Sequence, residues 1–453
     1  MHPRLVRHVI FPLHERLKRK PTFRWLEELE RTQWLDAGRL RDYQFMRMRR
    51  HLEFAYAQVP YYRSLLDEHD LPPARVKSPD DFERIPFLTR ELLRSRFEDL
   101  RATVKLPNVK RRSTGGSTGV PVTVEVDMER MGSSEAARLR AHRWFGLEPG
   151  AREVVLWGSP IELGRQDRLR GLRDFLLNSR LLSAFDMGEP ALARYAAAIM
   201  RFRPEKMYGY ASSFFLMARY FRRQELAPPR GLKAVFTTAE PLFDFQRALI
   251  QEALGCRVGV EYGSRDGGLV ALECPEGGLH VFSEGMYVEI ADPDASGRGE
   301  IVVTCLDSFC FPIIRYRTGD IGSFDPTPCP CGRTLPKLKQ VEGRRTDFLV
   351  TPSGRVLHAL SAIYILRDLP GIREFHVVQE SLDHIVVQIV SNHSLAEAEE
   401  AGVRQRFGLL LGSAVRLDIV QVTAIARTRS GKFRYVESRV SEDLLSTMMR
   451  EAR

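Results

Sequence analysis

From Phe23 to Leu100 apolar residues recur three and four positions apart, the spacing that lines one face of a helix. Segments Phe45–Tyr56 and Arg63–His69 carry it most clearly, with Pro60, Pro72, Pro73 and Pro86 as breaks. Past residue 110 the texture changes. Apolar runs at Glu153–Trp157, Ala234–Thr237 and Val258–Tyr262 read as strands, and they alternate with helical stretches such as Pro190–Phe202 and Phe243–Leu254. Such alternation predicts α/β layers. Between Tyr287 and Phe324 the runs are short and alternating, as in an antiparallel sheet or barrel. Beyond about residue 345, Phe375–Gln379, Ile385–Val390 and Val415–Val422 predict three strands, with helices near 359–368 and 394–411. The fold class expected is α/β + α+β. A large N-terminal domain of layered α/β subdomains with a small barrel-like part spans 1–344, its first 105 residues helical. A compact α+β domain follows at 345–453.

Length agrees with more than one domain, since 453 residues exceed a single ordinary core. A hydrophobic share of 43% is ample to fill those cores. The net charge of +10 raises nucleic acid or an acidic membrane as partners. Its excess comes from arginines scattered among glutamates, without a basic block or an aromatic-basic RNA motif, so nucleic acid is not expected. No run approaches the ~20 apolar residues of a membrane span, and Met1–Lys20 lacks the apolar core of a signal peptide. That segment sets Arg4, Arg7, Arg16, Lys18, Arg19 and Lys20 around Val6, Ile10, Phe11, Leu13 and Leu17. It reads as a solvated first helix, with peripheral association to an anionic membrane as the alternative. The location expected is cytoplasmic. Six cysteines in so long a chain do not make a disulfide framework. Cys256, Cys305 and Cys310 sit in apolar or strand-like surroundings and read as packing residues.

Five strings carry candidate chemistry. Ser113-Thr114-Gly115-Gly116-Ser117-Thr118-Gly119 combines glycines that admit close backbone approach with hydroxyl donors suited to phosphate oxygens. It lacks the Gly-Lys-Ser/Thr ending of a Walker P-loop. Glu261-Tyr262-Gly263-Ser264-Arg265-Asp266 follows an apolar strand. There an aromatic ring can stack on a base, and a carboxylate can hold Mg²⁺ through oxygen. Read alone, a tight turn with an Arg–Asp surface pair is favoured. Tyr316-Arg317-Thr318-Gly319-Asp320 presents an acid on a glycine turn, suited to two ribose hydroxyls. Gly343-Arg344 lies at the domain boundary, and Gly431-Lys432 lies on a short loop near the C-terminus.

In order and spacing these five strings resemble the adenylate-forming superfamily of acyl-CoA synthetases, luciferases and peptide-synthetase adenylation domains. Val59-Pro60-Tyr61-Tyr62-Arg63 and Ile85-Pro86-Phe87-Leu88-Thr89 are similar to its phenylacetate–CoA ligase branch, and to CapK-like members in particular. The resemblance runs from about residue 25 to 440. It implies ATP-dependent activation of a carboxylic acid to an acyl-AMP, with Mg²⁺ as cofactor. It assigns the phosphates to Ser113–Gly119, Mg²⁺ to Asp266, and the adenine to Ala239-Glu240-Pro241 and Tyr262 within Tyr262-Gly263-Ser264. It assigns the ribose to Asp320 and Arg344, and the bridge between carboxylate and α-phosphate to Lys432. It implies a mobile small domain that turns about Arg345–Asp347, and an acid pocket lined by Trp157, Tyr208, Gly209 and Tyr210.

Cys274, His280, Cys329 and Cys331 fall in two short knuckles, a reasonable structural zinc set. The acyl acceptor implied is CoA, with an amino sugar or a carrier protein as the alternative, and an inactive scaffold on the same fold is the second alternative. The alternative acceptor gains weight at Val350–His358, which lacks the Gly-x-Asn/Lys-x-Phe/Tyr-Pro stretch usual in the CoA-ligase branch. The acid itself is not named, and a homodimer is left open. Carboxylate attack on phosphorus brings two anions together, so cation placement governs the step. Lys432→Ala is expected to lower carboxylate-dependent ATP–pyrophosphate exchange by about 100-fold or more, the cost of one preorganised electrostatic contact. Exchange at the wild-type rate would exclude Lys432 from the site.

Overall fold

The computed structural model describes the chain apart from residues 114–121, 158–166, 185–186, 241, 343–347, 353–355, 359, 367–368, 370–371, 392–394, 413, 426–435 and 441–453. The strands in chain order are β1 Lys110–Ser113, β2 Thr123–Val126, β3 Glu153–Leu156, β4 Ser179–Leu182, β5 Lys206–Tyr210, β6 Ala234–Thr238 and β7 Arg257–Ser264. Then come β8 Gly268–Glu273, β9 Leu279–Val281, β10 Met286–Ala291, β11 Gly299–Cys305, β12 Tyr316–Asp325 and β13 Lys337–Glu342. The remainder are β14 Phe348–Val350, β15 Val356–His358, β16 Ile372–Ser381, β17 His384–Ser391, β18 Arg416–Gln421 and β19 Val436–Ser438.

Eleven of these strands form one sheet in the order β10-β11-β12-β13-β9-β8-β7-β6-β5-β3-β4. The half from β4 to β7 is parallel throughout. From β7 to β10 every pairing is antiparallel. The expected α/β layers and the antiparallel region are therefore two halves of one sheet, and β7 belongs to both. In the parallel half the chain order is 2-1-3-4-5, so the direction of winding reverses between β3 and β5. Ligands bind beyond the carboxyl ends of parallel strands at such a reversal.

The predicted helices on the parallel side are found at Glu189–Phe202 and Asp244–Leu254, joined by Ala211–Arg223. Phe214, Phe221 and Ile250 from them share a core with Val154, Met207 and Val235 of the strands. In the N-terminal region, helices cover Thr22–Thr32, Ala37–Gln58 and Pro60–Glu68. Pro60 acts as a start rather than a gap. Extended Val59 precedes it, and the proline occupies the first turn of the next helix, where its missing N–H costs nothing. Leu52, Tyr62 and Phe82 of this region pack with Val281, Val303 and Tyr316 of the antiparallel half. Buried Tyr62 fixes the register there, donating to the Pro312 carbonyl at 3.1 Å and accepting from the Ile314 N–H at 3.1 Å.

Toward the C-terminus a four-stranded sheet in the order β18-β17-β16-β19, with helices Leu360–Leu366 and Glu397–Leu411, closes around a core that includes Phe375, Val387 and Phe407. Sheet and helices agree with the α+β pattern expected for this part. Among the described residues no helix is long and apolar enough to cross a membrane.

One further helix, Met128–Trp144, ties the layers together by polar contacts. Arg140 and Glu284 are both buried and meet at 2.6 Å, with the Thr32 hydroxyl donating to the same carboxylate oxygen at 2.6 Å. Two residues earlier on the same helix, Arg138 forks onto Glu261 of β7, with Nε at 2.6 Å and a terminal nitrogen at 2.9 Å. The Tyr208 hydroxyl of β5 donates to the same Glu261 carboxylate at 2.9 Å. Burial and the adjacent Glu261 push the Tyr208 hydroxyl well above its ordinary range, so it stays a neutral donor. Glu261 is 8% exposed, whereas the Arg138 side chain keeps 28% of its surface in water. Removing the arginine strands a buried carboxylate, which costs more than the pair itself is worth. Arg138→Leu should lower unfolding free energy by about 2–3 kcal/mol, discounted for the exposure of the arginine. Adding Glu261→Gln should recover part of that loss in thermal melts.

Candidate active site

The carboxyl ends of the parallel strands lie in a row fixed by register. Leu156 pairs with Gly209, Tyr210 with Thr238, and Thr238 with Glu261. Trp157, Tyr210, Ala239 and Tyr262 therefore follow one another along the sheet's end. Gly209 is needed for this alignment, because a Cβ there would lie 2.2 Å from the Leu156 carbonyl oxygen. At the winding reversal Trp157 stacks on Tyr210 with ring centroids 4.4 Å apart, and on Tyr208 at 6.0 Å. These three rings, expected to line an acid pocket, do come together as an aromatic wall.

Next along the row, Ala239 adopts φ +66°, a left-handed conformation rare for a residue with a Cβ. Backbone held in this way clusters at ligand sites. Glu240 turns its carboxylate back to the start of helix Ala211–Arg223 and accepts the Ser212 N–H at 3.0 Å. A negative group at a helix N-terminus is favoured by the peptide dipoles.

At β7 two carboxylates are organised by two tyrosines. Tyr262 donates its hydroxyl to Asp320 Oδ2 at 3.0 Å, joining the Tyr-Gly-Ser string to the Tyr-Arg-Thr-Gly-Asp string. Burial and the Asp320 charge raise the Tyr262 hydroxyl well above its ordinary range. Asp266 is buried, with Oδ2 accepting the Tyr316 hydroxyl at 2.6 Å and Oδ1 accepting the Gly267 N–H at 3.1 Å. Arg90 approaches that carboxylate at 3.9 Å and donates to the Tyr316 hydroxyl at 3.1 Å. Ser264 Oγ accepts the Gly267 N–H at 2.8 Å and closes the turn. Gly263 allows it, since a Cβ there would lie 2.4 Å from the Gly268 carbonyl oxygen. The Arg–Asp surface pair favoured for the isolated string is thus not formed. Asp266 points inward, and Arg265 instead donates to the Ser113 carbonyl at 3.2 Å.

That contact brings in the glycine-rich string. Ser113 and Thr123 are register partners of the β1–β2 hairpin, and their hydroxyls are 3.1 Å apart. The chain between these two strands carries Thr114, Gly115, Gly116, Ser117, Thr118 and Gly119, all outside the described residues, as are Pro241, Arg344 and Lys432. Arg90 and Tyr316 were not singled out from the sequence. A signal was present: an isolated bridge joins Leu88 to Tyr316, so two of the quoted strings lie side by side. Thr89 then caps the short helix on which Arg90 sits.

Away from this row, Cys274, His280, Cys329 and Cys331 place one ligand atom each within 4.8 Å of one another. Cys274 and Cys329 sulfurs are 3.6 Å apart, and Cys331 Sγ is 3.2 Å from His280 Nε2. His280 Nδ1 lies 3.1 Å from the Leu335 carbonyl, which places its proton there and leaves Nε2 to face the thiols. Gly278 makes room, as a Cβ would stand 2.7 Å from Cys329 Sγ.

Comparison with known proteins places this geometry. Residues 349–439 match the family model "CapK C-terminal domain". A phenylacetate–coenzyme A ligase of Thermus thermophilus is 29% identical over 328 residues, covering 70% of this chain and 73% of that protein. Protein CapK of Staphylococcus aureus is 23% identical over 423 residues, 92% of this chain and 93% of its own. Among solved structures, a 2-hydroxyisobutyryl-CoA ligase bound to 2-HIB-AMP and CoA superposes with a TM-score of 0.62 at 22% identity, over 93% of this chain and 94% of that one. At that identity the superposition speaks for the fold, while the sequence relatives speak for descent. The chain is thus similar over most of its length to phenylacetate–CoA ligases and to CapK, and its residues 349–439 match the CapK C-terminal domain.

Proposed function

We propose that this protein is an AMP-forming ligase that activates a carboxylic acid with ATP and passes the acyl group to CoA. The observation that carries the reading is the Tyr262–Asp320 contact at the carboxyl ends of the parallel strands, with the start of the glycine-rich string tied to the same turn. In the first step a carboxylate oxygen attacks the α-phosphorus, the bond to pyrophosphate breaks, and an acyl-AMP forms. In the second, the CoA sulfur attacks the acyl carbonyl and AMP departs.

The site residues take distinct roles in this reading. Tyr262 offers its ring to the base while its hydroxyl orients Asp320 toward the ribose hydroxyls. Ala239 and Glu240 supply the neighbouring edge of the adenine site. Ser113 begins the loop that takes the phosphates. Trp157, Tyr208 and Tyr210 form the wall against which the acid is held. Lys432, on the C-terminal part, pairs with the charge that accumulates on the transferring phosphoryl group.

Asp266 fits Mg²⁺ by donor type, being a hard oxygen ligand held in place by the neutral Tyr316 hydroxyl and the Gly267 N–H. Mg²⁺ characteristically takes one or two carboxylates together with substrate phosphates, and when bound it neutralises phosphate charge. We read residues 1–344 and 345–453 as two domains, the second turning about Arg345–Asp347 between the two steps. Support comes from the separate core of the C-terminal sheet.

The acceptor admits a second reading, transfer to an amine or carrier group instead of CoA. It is favoured by the CapK-type C-terminal match and by the alignment with CapK over 92% of this chain, together with the departure from the CoA-ligase pattern at Val350–His358. ATP–pyrophosphate exchange across a panel of carboxylic acids is expected to be positive for at least one. Exchange with none would favour the inactive scaffold. With the active acid in hand, thioester formation on adding CoA supports the first reading, and product formation only with amines or carriers supports the second.

The four-residue cluster of Cys274, His280, Cys329 and Cys331 fits a structural zinc ion in donor type, number and closure. Metal analysis of the purified protein should find about one zinc per chain. Cys329→Ser should lose that metal and lower the melting temperature, and metal-free protein of unchanged stability would exclude the site.

A further inference from the structure

The first seventeen residues carry a feature that catalysis does not use. The chain is helical from Pro3 to Leu17, with a π turn at Val6–Ile10. Its inner side is anchored. Val6 is fully buried, and Phe11 meets Phe23 edge-on at 5.6 Å. Glu15 is 1% exposed and accepts the Thr22 hydroxyl at 2.5 Å, with Lys20 at 3.4 Å. Gly150 lets the helix lie close, since a Cβ there would stand 2.9 Å from both the Pro3 oxygen and the Arg7 nitrogen. The helix cannot simply roll its outer side inward.

That outer side is apolar. Leu5, Val9, Leu13 and Leu17, spaced four apart, are 44%, 52%, 54% and 75% exposed. Single exposed apolar residues are ordinary, but a continuous ridge marks an interaction surface. Arg4, Arg16, Lys18 and Arg19 are exposed around it, and no described residue forms an ion pair with any of them. The one acid of the segment, Glu15, faces inward. A second element also exposes apolar side chains. Helix Asp167–Leu176 exposes Leu172 and Phe175, and its Arg173 is paired with Asp174 at 2.5 Å. Burial lowers the Lys18 pKa, and the nearby charges of Lys20, Arg173 and Lys110 lower it further against the opposing pull of Glu15.

We propose that this ridge seats the protein on an anionic lipid surface, the apolar side chains entering the headgroup boundary and the surrounding cations meeting lipid phosphates. A helix with an apolar side and a cationic border lies in the plane of such a surface. A second copy of the chain is the poorer occupant, because apposing two ridges brings like-charged borders together. The proposal does not depend on the ligase reading, since neither element contributes to the row of site residues.

The test is co-sedimentation of the full chain with vesicles of phosphatidylcholine alone and of phosphatidylcholine with phosphatidylglycerol. Binding is expected only to the second kind, weakening as salt rises. Leu13→Glu with Leu17→Glu should reduce it by more than about tenfold with the melting temperature unchanged. Lys18→Glu with Arg19→Glu should reduce it while leaving the apolar ridge intact. Equal binding to both vesicle types, or none to either, overturns the proposal. So does a concentration-dependent dimer that the leucine variants dissolve in the absence of lipid.

Discussion

The ion pair between Arg138 and Glu261 sits where the sheet changes character, and much of the site's geometry depends on it. Strand β7 pairs in parallel with β6 on one side and antiparallel with β8 on the other. Glu261 lies one residue before Tyr262, so the position of its carboxylate sets where the Tyr262 ring begins. The fork from Arg138 fixes β7 to the helix beneath it, and the Tyr208 hydroxyl fixes it to β5 across β6. A carboxylate held by two guanidinium nitrogens and a phenol has little freedom to drift. Strands that carry the aromatic wall and strands that carry the acids are thereby held to one frame.

Two tyrosines, one buried and one half-buried, repeat the device on the other side of the turn. Tyr316 and Tyr262 each give a hydroxyl to a carboxylate, and burial keeps both phenols neutral. A neutral donor orients an acid without cancelling its charge, whereas an arginine in direct contact would do both. Arg90 stands one step back, nearer to Tyr316 than to Asp266. The acids stay available to cations while their side chains stay in place.

Much of this was legible in the sequence, for identifiable reasons. Strands β3, β6 and β7 and the helices at 189–202 and 244–254 obey simple periodicity because one layer of core decides them. The strings around Tyr262 and Asp320 could be read because their residues are contiguous and chemically distinctive. Helix Met128–Trp144 was not legible. Arg130, Arg140 and His142 on it are buried and Arg138 is half-buried, so its inward side looks polar and no apolar stripe marks it. Partners more than a hundred residues away in sequence make the three arginines intelligible. The hairpin β1–β2 escaped for the opposite reason, since Lys110–Ser113 is exposed throughout and carries no hydrophobic period. Net charge misleads in the same way. Arginines such as Arg130, Arg140 and Arg315 serve as internal connectors, and the exposed remainder is concentrated in part around the first helix.

The row of strand ends divides one sheet into two territories. Trp157, Tyr208 and Tyr210 lie at the winding reversal between β3 and β5, while Ala239, Tyr262 and Asp320 belong to β6, β7 and β12. The Tyr208–Glu261 hydrogen bond joins the rings of the first territory to the strand that carries Tyr262. Tyr208 is thereby shared by both territories, so a substitution there disturbs the Glu261 anchor as well as the aromatic wall. A lineage built on this plan can diversify what it accepts while inheriting how it energises it, and the phenol of Tyr208 marks the limit of that freedom.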